Sequence, residues 1–295
     1  MTGDSIRSRS RNGLTLIEFL AVIAIISVFL FLMIPSILNA RMAARRSQCL
    51  NNLKQIVLAL HNYQDAHFSL PPGVVNPTGP IQDPGPDPKV SETNMQIGWI
   101  IQLLPFMEQT RLAGACDTTL SVYSDLNSTA RLTQVNSLLC PVDQPTPLYF
   151  ATPVPTPPRI GLSSYAGCHH DDEAAIDVAN HGVLYLNSHI RQQDVYDGTS
   201  TTIYVGEKLI EKNDLGWMSG TRATLRNTGS PLNAASDDKA NDPLHVGGFS
   251  SHHLGGVNAG FGDGSIRFLK DSIAWQVLRN LGNRDDGEMI EETPY

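Results

Sequence analysis

A long apolar run near the amino terminus constrains the fold of this chain more than any other feature of its sequence. From Leu14 to Leu38 there are 25 residues and a single charged side chain, Glu18. A helix needs about 20 apolar residues to cross a membrane, whereas a cleaved secretory signal has an apolar region of roughly 7–15 residues. The run therefore predicts one membrane-spanning helix, with Pro35 near its far end.

Glu18 is the most informative residue of this run. A carboxylate in a membrane segment costs on the order of 2–3 kcal/mol near the centre and less near an end. One interpretation is that Glu18 lies at the interface and stays hydrated. The other is that it gains a cationic partner, because cleavage after Gly13 would create an α-amino group at Leu14, four residues away or on a neighbouring subunit. Pairing these charges in lipid would favour ordered assembly of helices.

The segment from Gly13 to Glu18, with its short basic leader and the apolar helix that follows, resembles the type IV prepilin signal. In that family a membrane aspartyl peptidase cuts after the glycine and methylates the new amino terminus, and the glutamate supports assembly. The resemblance implies cleavage after Gly13, N-methylation of Leu14 and an assembly role for Glu18. Leu14 departs from the commoner phenylalanine at this position.

The helix is predicted to continue to about Ala66, where Pro71-Pro72-Gly73 follows and ends it. Four residues recur at helical spacing on one apolar face: Cys49, Leu53, Ile56 and Leu60. Two proline-rich stretches, 71–88 and 141–158, predict long loops. Between them, residues 98–115 predict a short buried helix that Pro105 breaks or kinks.

The remainder of the chain has the composition of a β-rich domain. Residues 182–187 and 201–209 are predicted strands. Alternating apolar residues on both sides of Asp263-Gly264 predict a hairpin over 255–270 with a type I′ turn. Residues 271–282 predict a short helix with Gly282 as its C-cap. A long helix on an antiparallel sheet, with long loops, gives an α+β fold class.

Six sequence blocks resemble the DUF1559 family of pilin-like proteins, which is abundant in planctomycetes and related bacteria. The blocks are residues 49–73, 98–109, 140–143, 164–167, 196–207 and 253–269. The resemblance implies a pseudopilin-like fold with a prepilin leader over 1–13 and a transmembrane half-helix over 14–38. It further implies an amphipathic half-helix over 39–68 and an extracytoplasmic globular domain over 69–295. The family has no established biochemical activity.

Two groups of polar residues are candidate metal ligands. His169, His170 and Asp171 offer imidazole and carboxylate groups, which are zinc ligands, and a solvated loop is the alternative interpretation. Asp285 and Asp286 could offer oxygens to calcium, as major pseudopilins of type II secretion often do in a C-terminal loop. Their loop has too few alternating acids for an EF-hand, and solvated acids are again the alternative. No cofactor is therefore expected, with calcium as the alternative.

A further motif matches the His-x-Gly-Gly pattern of the resembled family. It consists of His253, Gly255 and Gly256, with Asp263 and Gly264 ten and eleven residues beyond the histidine. These residues raise the idea of a His/Asp site. The structural interpretation is favoured, because glycines permit tight turns and a histidine can bond a buried carbonyl group.

The four cysteines, Cys49, Cys116, Cys140 and Cys168, have no CxxC spacing, which argues against a zinc ribbon or a thioredoxin-type motif. Four cysteines allow three full pairings, and spacing does not choose among them. Cys49 and Cys140 lie in blocks that match the resembled family, which favours a bond between these two. Such a bond would tie the helix to the globular domain.

Net charge limits the classes of partner. The chain carries −8; its first 13 residues contribute +2, which leaves −10 on the remainder. An acidic body argues against broad binding to nucleic-acid phosphates, so no nucleic-acid partner is expected.

These features predict a structural subunit of a type IV pilus or of a type II secretion-like pseudopilus, and not an enzyme. Its partners would be the prepilin peptidase, other pilin-like subunits and the bacterial inner membrane, with the globular domain outside the cytoplasm. The alternative is a membrane-anchored periplasmic ligand-binding or enzymatic domain that uses the signal only for sorting. A deep polar pocket around His169, His170 or His253 would favour that alternative.

Overall fold

The structure is a computed structural model that describes residues 16–82, 94–143, 160–211, 214–234 and 242–288. The predicted leader, Gly13 and Leu14 lie outside these described residues. The chain forms two compact units, Met1–Ala44 and Arg45–Tyr295. Helix α1, Leu16–His67, contributes residues to both units.

The described part of the first unit is helical, and twelve of its large apolar side chains between positions 16 and 33 are exposed. They are Leu16, Ile17, Phe19, Leu20, Val22, Ile23, Ile25, Ile26, Phe29, Leu30, Phe31 and Met33. Among the described residues, no helix combines the length and the apolar character that a membrane crossing requires. The membrane span predicted over 14–38 is therefore not confirmed and stays a prediction.

The second unit contains a five-stranded sheet in the order β5-β3-β4-β6-β7. Its strands are β3 (Tyr165–His170), β4 (Ile203–Glu207), β5 (Leu225–Asn227), β6 (Gly256–Phe261) and β7 (Ile266–Lys270). Neighbouring strands are antiparallel except β3 and β5, which are parallel. The sheet is thus mixed, and the prediction of an antiparallel sheet is wrong for the β3–β5 pair. The reason is that β5 follows β4 in the chain but pairs with β3.

Short elements precede and flank this sheet. Two-residue strands β1 (Val74–Val75) and β2 (Ile97–Gly98) pair antiparallel. The short helices are α2 (Trp99–Leu103), α3 (Thr110–Ala113) and α4 (Ser128–Leu132). Single 3₁₀ turns occupy Leu104–Met107, Asp125–Asn127, Asn136–Leu138 and Gln192–Asp194. Pro105 lies in the first 3₁₀ turn, so α2 ends where proline was predicted to break the helix.

The second half of α1 packs on one face of the sheet. The four residues predicted to form its apolar face are fully buried: Cys49, Leu53, Ile56 and Leu60. Gly260 of β6 lies directly beneath Val57, and a β-carbon at position 260 would meet Val57 Cγ2 at 2.5 Å. Because side chains alternate along a strand, Gly256 and Asn258 face the same side as Gly260. The glycines let the helix approach the sheet closely.

The opposite face of the sheet is covered by helix α5, Trp275–Gly282. Leu278 and Leu281 of α5 are buried in a cluster that includes Val257, Ala259 and Phe261 of β6. Gly282 is the last helical residue and Asn283 is the C-cap, one residue later than predicted. The domain therefore has a helix–sheet–helix arrangement, and both faces of β6 are buried.

One predicted strand is wrong in position. Residues 182–187 do not form a strand; Leu186 makes only an isolated bridge to Val74, and the amides of Val183 and Leu184 both donate to the Cys168 carbonyl oxygen. The strand in this region is instead β3, which includes residues assigned by sequence to a solvated loop.

The predicted hairpin exists, but its turn type is wrong. The Gly264 amide donates to the Phe261 carbonyl oxygen, and the Phe261 amide donates to Ser265. Only Gly264 of the turn has positive φ, at 86°, whereas a type I′ turn needs positive φ at two successive residues. The connection is therefore a three-residue loop, 262–264, with a left-handed glycine at its end.

Two leucines of α1 give a matched test of this packing. Leu53→Ala should destabilise the domain by about 2–5 kcal/mol, because it empties a fully buried site. Leu58→Ala should change stability by no more than about 0.5 kcal/mol, because Leu58 is 59% exposed. Urea unfolding followed by circular dichroism measures both. Equal effects of the two substitutions would contradict the observed face of α1.

Candidate functional site

Glu18, the predicted assembly residue, lies in the first turn of α1. Its described neighbours along the chain are exposed apolar residues, Leu16, Ile17, Phe19 and Leu20. One charge thus lies within an apolar helical surface.

A disulfide between Cys49 and Cys140 joins α1 to the body of the domain. This is the pair that the resemblance implied, and Cys116 and Cys168 are free thiols. The two bonded cysteines are 91 residues apart, and cross-linking a loop of that length stabilises a fold by on the order of 4 kcal/mol in the chain-entropy model. The covalent bond therefore fixes one turn of α1 to the segment after the Asn136–Leu138 turn.

Hydrogen bonds hold the same two segments in place. The Tyr165 hydroxyl donates to the Cys49 carbonyl oxygen at 3.0 Å, and the Asn52 side-chain amide donates to the Leu139 carbonyl oxygen at 2.7 Å. Burial raises the pKa of Tyr165 well above its ordinary value, so this phenol stays protonated and remains a donor. Both cysteines are thus positioned by their backbones as well as by the bond between them.

A buried carboxylate, Glu207 at the end of β4, lies beside the disulfide. It is 1% exposed and accepts hydrogen bonds from the Asn258 amide at 2.9 Å and from the Asn258 side chain at 3.0 Å. His253 Nε2 lies 3.1 Å from Glu207 Oε1 and 3.7 Å from Cys140 Sγ. These contacts bring an imidazole, a carboxylate and two sulfur atoms together between α1 and the sheet.

The His-x-Gly-Gly motif has a different partner from the one expected. His253 bonds the Glu207 carboxylate and not a buried carbonyl group, because the end of β4 brings an acid to this point. Gly255 supplies a turn with φ of 83°, and Gly256 begins β6 against the Leu269 backbone. Asp263 lies at the tip of the hairpin, where its carboxylate accepts from the Ser265 amide. The described contacts do not join Asp263 to His253.

A second polar cluster forms around Asp171. His170 Nδ1 and His181 Nδ1 lie 2.5 Å and 2.9 Å from the same carboxylate oxygen, Oδ1. The other oxygen accepts from the Asn283 side chain at 3.1 Å, and Arg279 lies 3.9 Å from it. Burial alone would raise the pKa of Asp171, but the hydrogen bonds from the two histidines outweigh burial and lower it well below the ordinary value.

The other proposed metal ligands lie outside this cluster. His169 is fully buried on β3 with Nδ1 3.2 Å from the Asn180 side-chain oxygen, and burial lowers its pKa to about 4, so it is neutral at pH 7. Asp285 and Asp286 share no ligand group with His170 and Asp171 among the described residues. The Asp286 amide instead donates to the Asp197 carboxylate at 2.7 Å. The structure therefore divides the five predicted ligands among three places.

Comparison with known proteins gives one match. The family model described as "Protein of unknown function (DUF1559)" matches residues 38–276, which is 239 of 295 residues. The chain belongs to the DUF1559 family. No protein with a curated description and no solved structure is significantly similar to it.

Four of the sequence blocks that resemble DUF1559 proteins meet at the disulfide. Cys49, Cys140, Glu207 and His253 each come from a different block. Sequence reasoning missed Glu207 and also His181 of the second cluster. The sequence does carry a signal for Glu207, because this carboxylate ends an apolar strand and a carboxylate is buried in a core only when it has partners. No local signal identifies His181, which follows an irregular segment.

The DUF1559 domain also has a cleft of about 430 Å³ near Arg222, Arg226 and His245. Arg226 is buried and donates to the Val246 carbonyl oxygen and to Glu211. The walls of this cleft do not include His169, His170 or His253, the histidines around which a ligand pocket was considered.

Asp171→Asn tests the second cluster. It should destabilise the domain at pH 7 by about 1–3 kcal/mol, because buried donors lose a charged acceptor. The pKa of Asp171 is lowered on folding, so its contribution is complete above the unfolded-state value of about 3.9 and is lost as pH falls below it. The difference in unfolding free energy from wild type should therefore shrink below about pH 4.

The matched control is Asp172→Asn, because the Asp172 side chain is 56% exposed. Its effect should stay within about 0.5 kcal/mol at both pH values. Urea titrations at neutral and acidic pH give the comparison. A deficit for Asp171→Asn that persists unchanged in acid would show that its charge is not what stabilises the cluster.

Proposed function

We propose that this DUF1559 protein is a pilin-like or pseudopilin-like structural subunit that assembles through the first half of α1. The observation that carries the proposal is an apolar helical surface that is exposed in the single chain and bears one carboxylate, Glu18. Exposed apolar patches of this extent mark surfaces that bind other proteins or lipid. A helix that is apolar on all sides needs cover around its whole circumference.

Side-by-side packing of α1 helices from several subunits would provide that cover. Glu18 lies in the first turn of α1, so a neighbour offset along the helix axis could present its amino terminus to this carboxylate. An ion pair in an apolar environment is favoured over either charge alone, because each isolated charge is costly there. The pair would select one offset between neighbours, as an ordered filament requires.

The second half of α1 has the features of a fixed attachment. It is bonded covalently through Cys49, and His61 Nε2 lies 3.0 Å from the Gly262 carbonyl oxygen at the hairpin turn. Arg46 stacks on the Phe268 ring of β7 with its guanidinium carbon 4.7 Å from the ring centroid. A subunit held in a filament by one end of a helix needs its globular domain attached to the other end in this way.

The proposed location is the inner membrane of a bacterium, with the domain outside the cytoplasm, from which subunits enter a type IV pilus or a type II secretion-like pseudopilus. The membrane step rests on the sequence of residues 14–38, which has one charge in 25 residues. Because no helix of the described residues meets the requirement for a membrane crossing, this step needs its own test.

Mass spectrometry of the amino terminus of protein recovered from its native membrane provides that test. The expected chain starts at an N-methylated Leu14. An intact Met1 or a start near Arg41 would contradict prepilin processing. Either of those outcomes would instead support the alternative proposal of an anchored or secreted domain that binds a ligand.

Glu18→Ala tests assembly. Loss of the pair should weaken subunit association at least about tenfold, because an uncompensated charge in lipid costs more than about 1.4 kcal/mol. Cross-linking in native membranes measures association. The unfolding temperature of the domain should not change, because Glu18 belongs to the other compact unit.

Glu288→Ala is the matched control, since it removes an exposed carboxylate from the domain. It should leave the cross-linked fraction unchanged. Equal cross-linking of wild type and Glu18→Ala would count against the assembly role of Glu18.

A further inference from the structure

Four side chains with metal-binding chemistry converge in the interior of the domain. The ligand atoms of Cys49, Cys140, Glu207 and His253 all lie within 4.8 Å of one another, and all four residues are buried. Two thiolates, an imidazole and a carboxylate are a set of donors that zinc accepts, and closed four-ligand sites are typical of structural zinc. Cys49 lies in α1, and Cys140 follows the Asn136–Leu138 turn. Glu207 is the last residue of β4, and His253 lies in the loop before β6.

A disulfide alone does not account for this convergence. A disulfide has little need of hydrogen bonds, because its sulfur atoms are weak acceptors. Burying a carboxylate and an imidazole beside it is unfavourable unless both are paired. The structure places both groups beside the sulfur atoms: His253 Nε2 lies 3.7 Å from Cys140 Sγ, and one carboxylate oxygen of Glu207 lies within 4.8 Å of both sulfur atoms.

Two distances already fit a tetrahedral zinc site. With zinc–nitrogen and zinc–oxygen bonds near 2.0–2.2 Å, the nitrogen and oxygen ligands lie about 3.3 Å apart, and a sulfur and a nitrogen ligand lie about 3.6 Å apart. His253 Nε2 is 3.1 Å from Glu207 Oε1 and 3.7 Å from Cys140 Sγ. The two sulfur atoms, now bonded, would have to separate to about 3.8 Å.

The surroundings of Glu207 would orient it as a ligand. Its second oxygen, Oε2, accepts from the Asn258 backbone amide at 2.9 Å, and the Asn258 side-chain amide donates to both carboxylate oxygens at 3.0 Å. Held in this way, Oε1 lies 3.1 Å from His253 Nε2. The His253 amide donates to the Ser251 hydroxyl at 3.1 Å and fixes the backbone there. Outer hydrogen bonds of this kind set ligand orientation in metal sites. In the present form a proton joins Nε2 and Oε1, and a zinc ion would replace it between them.

We propose that the thiol form of this protein binds one Zn²⁺ through Cys49 Sγ, Cys140 Sγ, His253 Nε2 and Glu207 Oε1, and that the disulfide is the oxidised, metal-free form of the same site. The inference does not depend on the assembly function. A newly made chain in a reducing compartment has both thiols free, and zinc would close the joint between α1 and the sheet at that stage.

Conversion of the zinc-bound form to the disulfide form needs a two-electron oxidant, and the disulfide of another molecule can serve as that oxidant. The two zinc-bound thiolates give two electrons to the oxidant and form the Cys49–Cys140 bond. The oxidant takes those electrons with two protons and leaves as two thiols, and Zn²⁺ is released. In the reverse direction a dithiol or a phosphine supplies the two electrons, and zinc displaces the protons of the new thiols.

The test uses the full chain in detergent, reduced with a phosphine, loaded with Zn²⁺ and desalted. Metal analysis by mass spectrometry should find about one more Zn²⁺ per chain in the reduced protein than in the oxidised protein. X-ray absorption at the zinc edge should show two sulfur ligands and two nitrogen or oxygen ligands. This measurement on wild-type protein does not depend on any variant folding.

Single substitutions assign the ligands. His253→Gln and Glu207→Gln should each lower zinc affinity of the reduced chain at least about tenfold. His252→Gln is the matched control, because it is the adjacent histidine with a side chain 57% exposed, and it should leave affinity unchanged. Cys116→Ser removes a thiol outside the cluster and should also have no effect.

Three outcomes would overturn the proposal. The first is a reduced chain that binds no more zinc than the oxidised chain, since zinc common to both forms would belong elsewhere, for example to His170, Asp171 and His181. The second is an absorption spectrum with nitrogen and oxygen ligands only. The third is unchanged affinity in both His253→Gln and Glu207→Gln.

Discussion

The buried carboxylate of Glu207 is the constraint on which the arrangement of the domain depends. A charge in the interior is tolerated only when it is paired and hydrogen-bonded. Its partners, Asn258 on β6 and His253 in the loop before β6, come from a different part of the chain. A slip of one residue between β4 and β6 would turn Asn258 to the other face of the sheet. The carboxylate therefore fixes strand register and loop conformation together.

The same point fixes the helix. The face of β6 that meets α1 consists of Gly256, Asn258 and Gly260, which offer little apolar area. Three other contacts compensate for this small apolar area. They are the close approach of Val57 to Gly260, the disulfide bond of Cys49, and the contact of His61 with the hairpin turn. The larger apolar side chains of β6, Val257 and Phe261, point to α5 instead. Attachment of α1 thus relies on close backbone approach and specific contacts as well as on apolar burial.

Local patterns made part of this fold predictable. The helical spacing of Cys49, Leu53, Ile56 and Leu60 identified the buried face of α1, and alternation identified the hairpin of β6 and β7. Residues whose environment depends on distant strands were not predictable in the same way. Strand β3 was missed because it is buried on both faces yet carries His169 and His170, which read as a polar loop.

Long-range pairing explains the other errors as well. No sequence pattern shows that β5 pairs with β3 across the sheet, or that a carboxylate at position 207 meets a histidine at position 253. The turn type failed for a local reason, since Asp263 keeps negative φ and its carboxylate accepts from the Ser265 amide. The resemblance to the DUF1559 family placed Cys49 and Cys140 in matching blocks, and this supplied a pairing that spacing could not.

The cluster of Cys49, Cys140, Glu207 and His253 also relates the attachment of α1 to the redox state of the compartment. In an oxidising environment two cysteines held together by a fold form a disulfide, and in a reducing one they remain thiols. If the two cysteines alone connected α1 to the sheet, reduction to thiols would break that connection. His253 and Glu207 add two ligand groups that oxidation and reduction of the cysteines do not change, and both lie within 4.8 Å of the sulfur atoms. The free-energy cost of burying these polar groups is then explained, because they allow α1 to stay linked to the sheet in both the disulfide form and the zinc-bound thiol form.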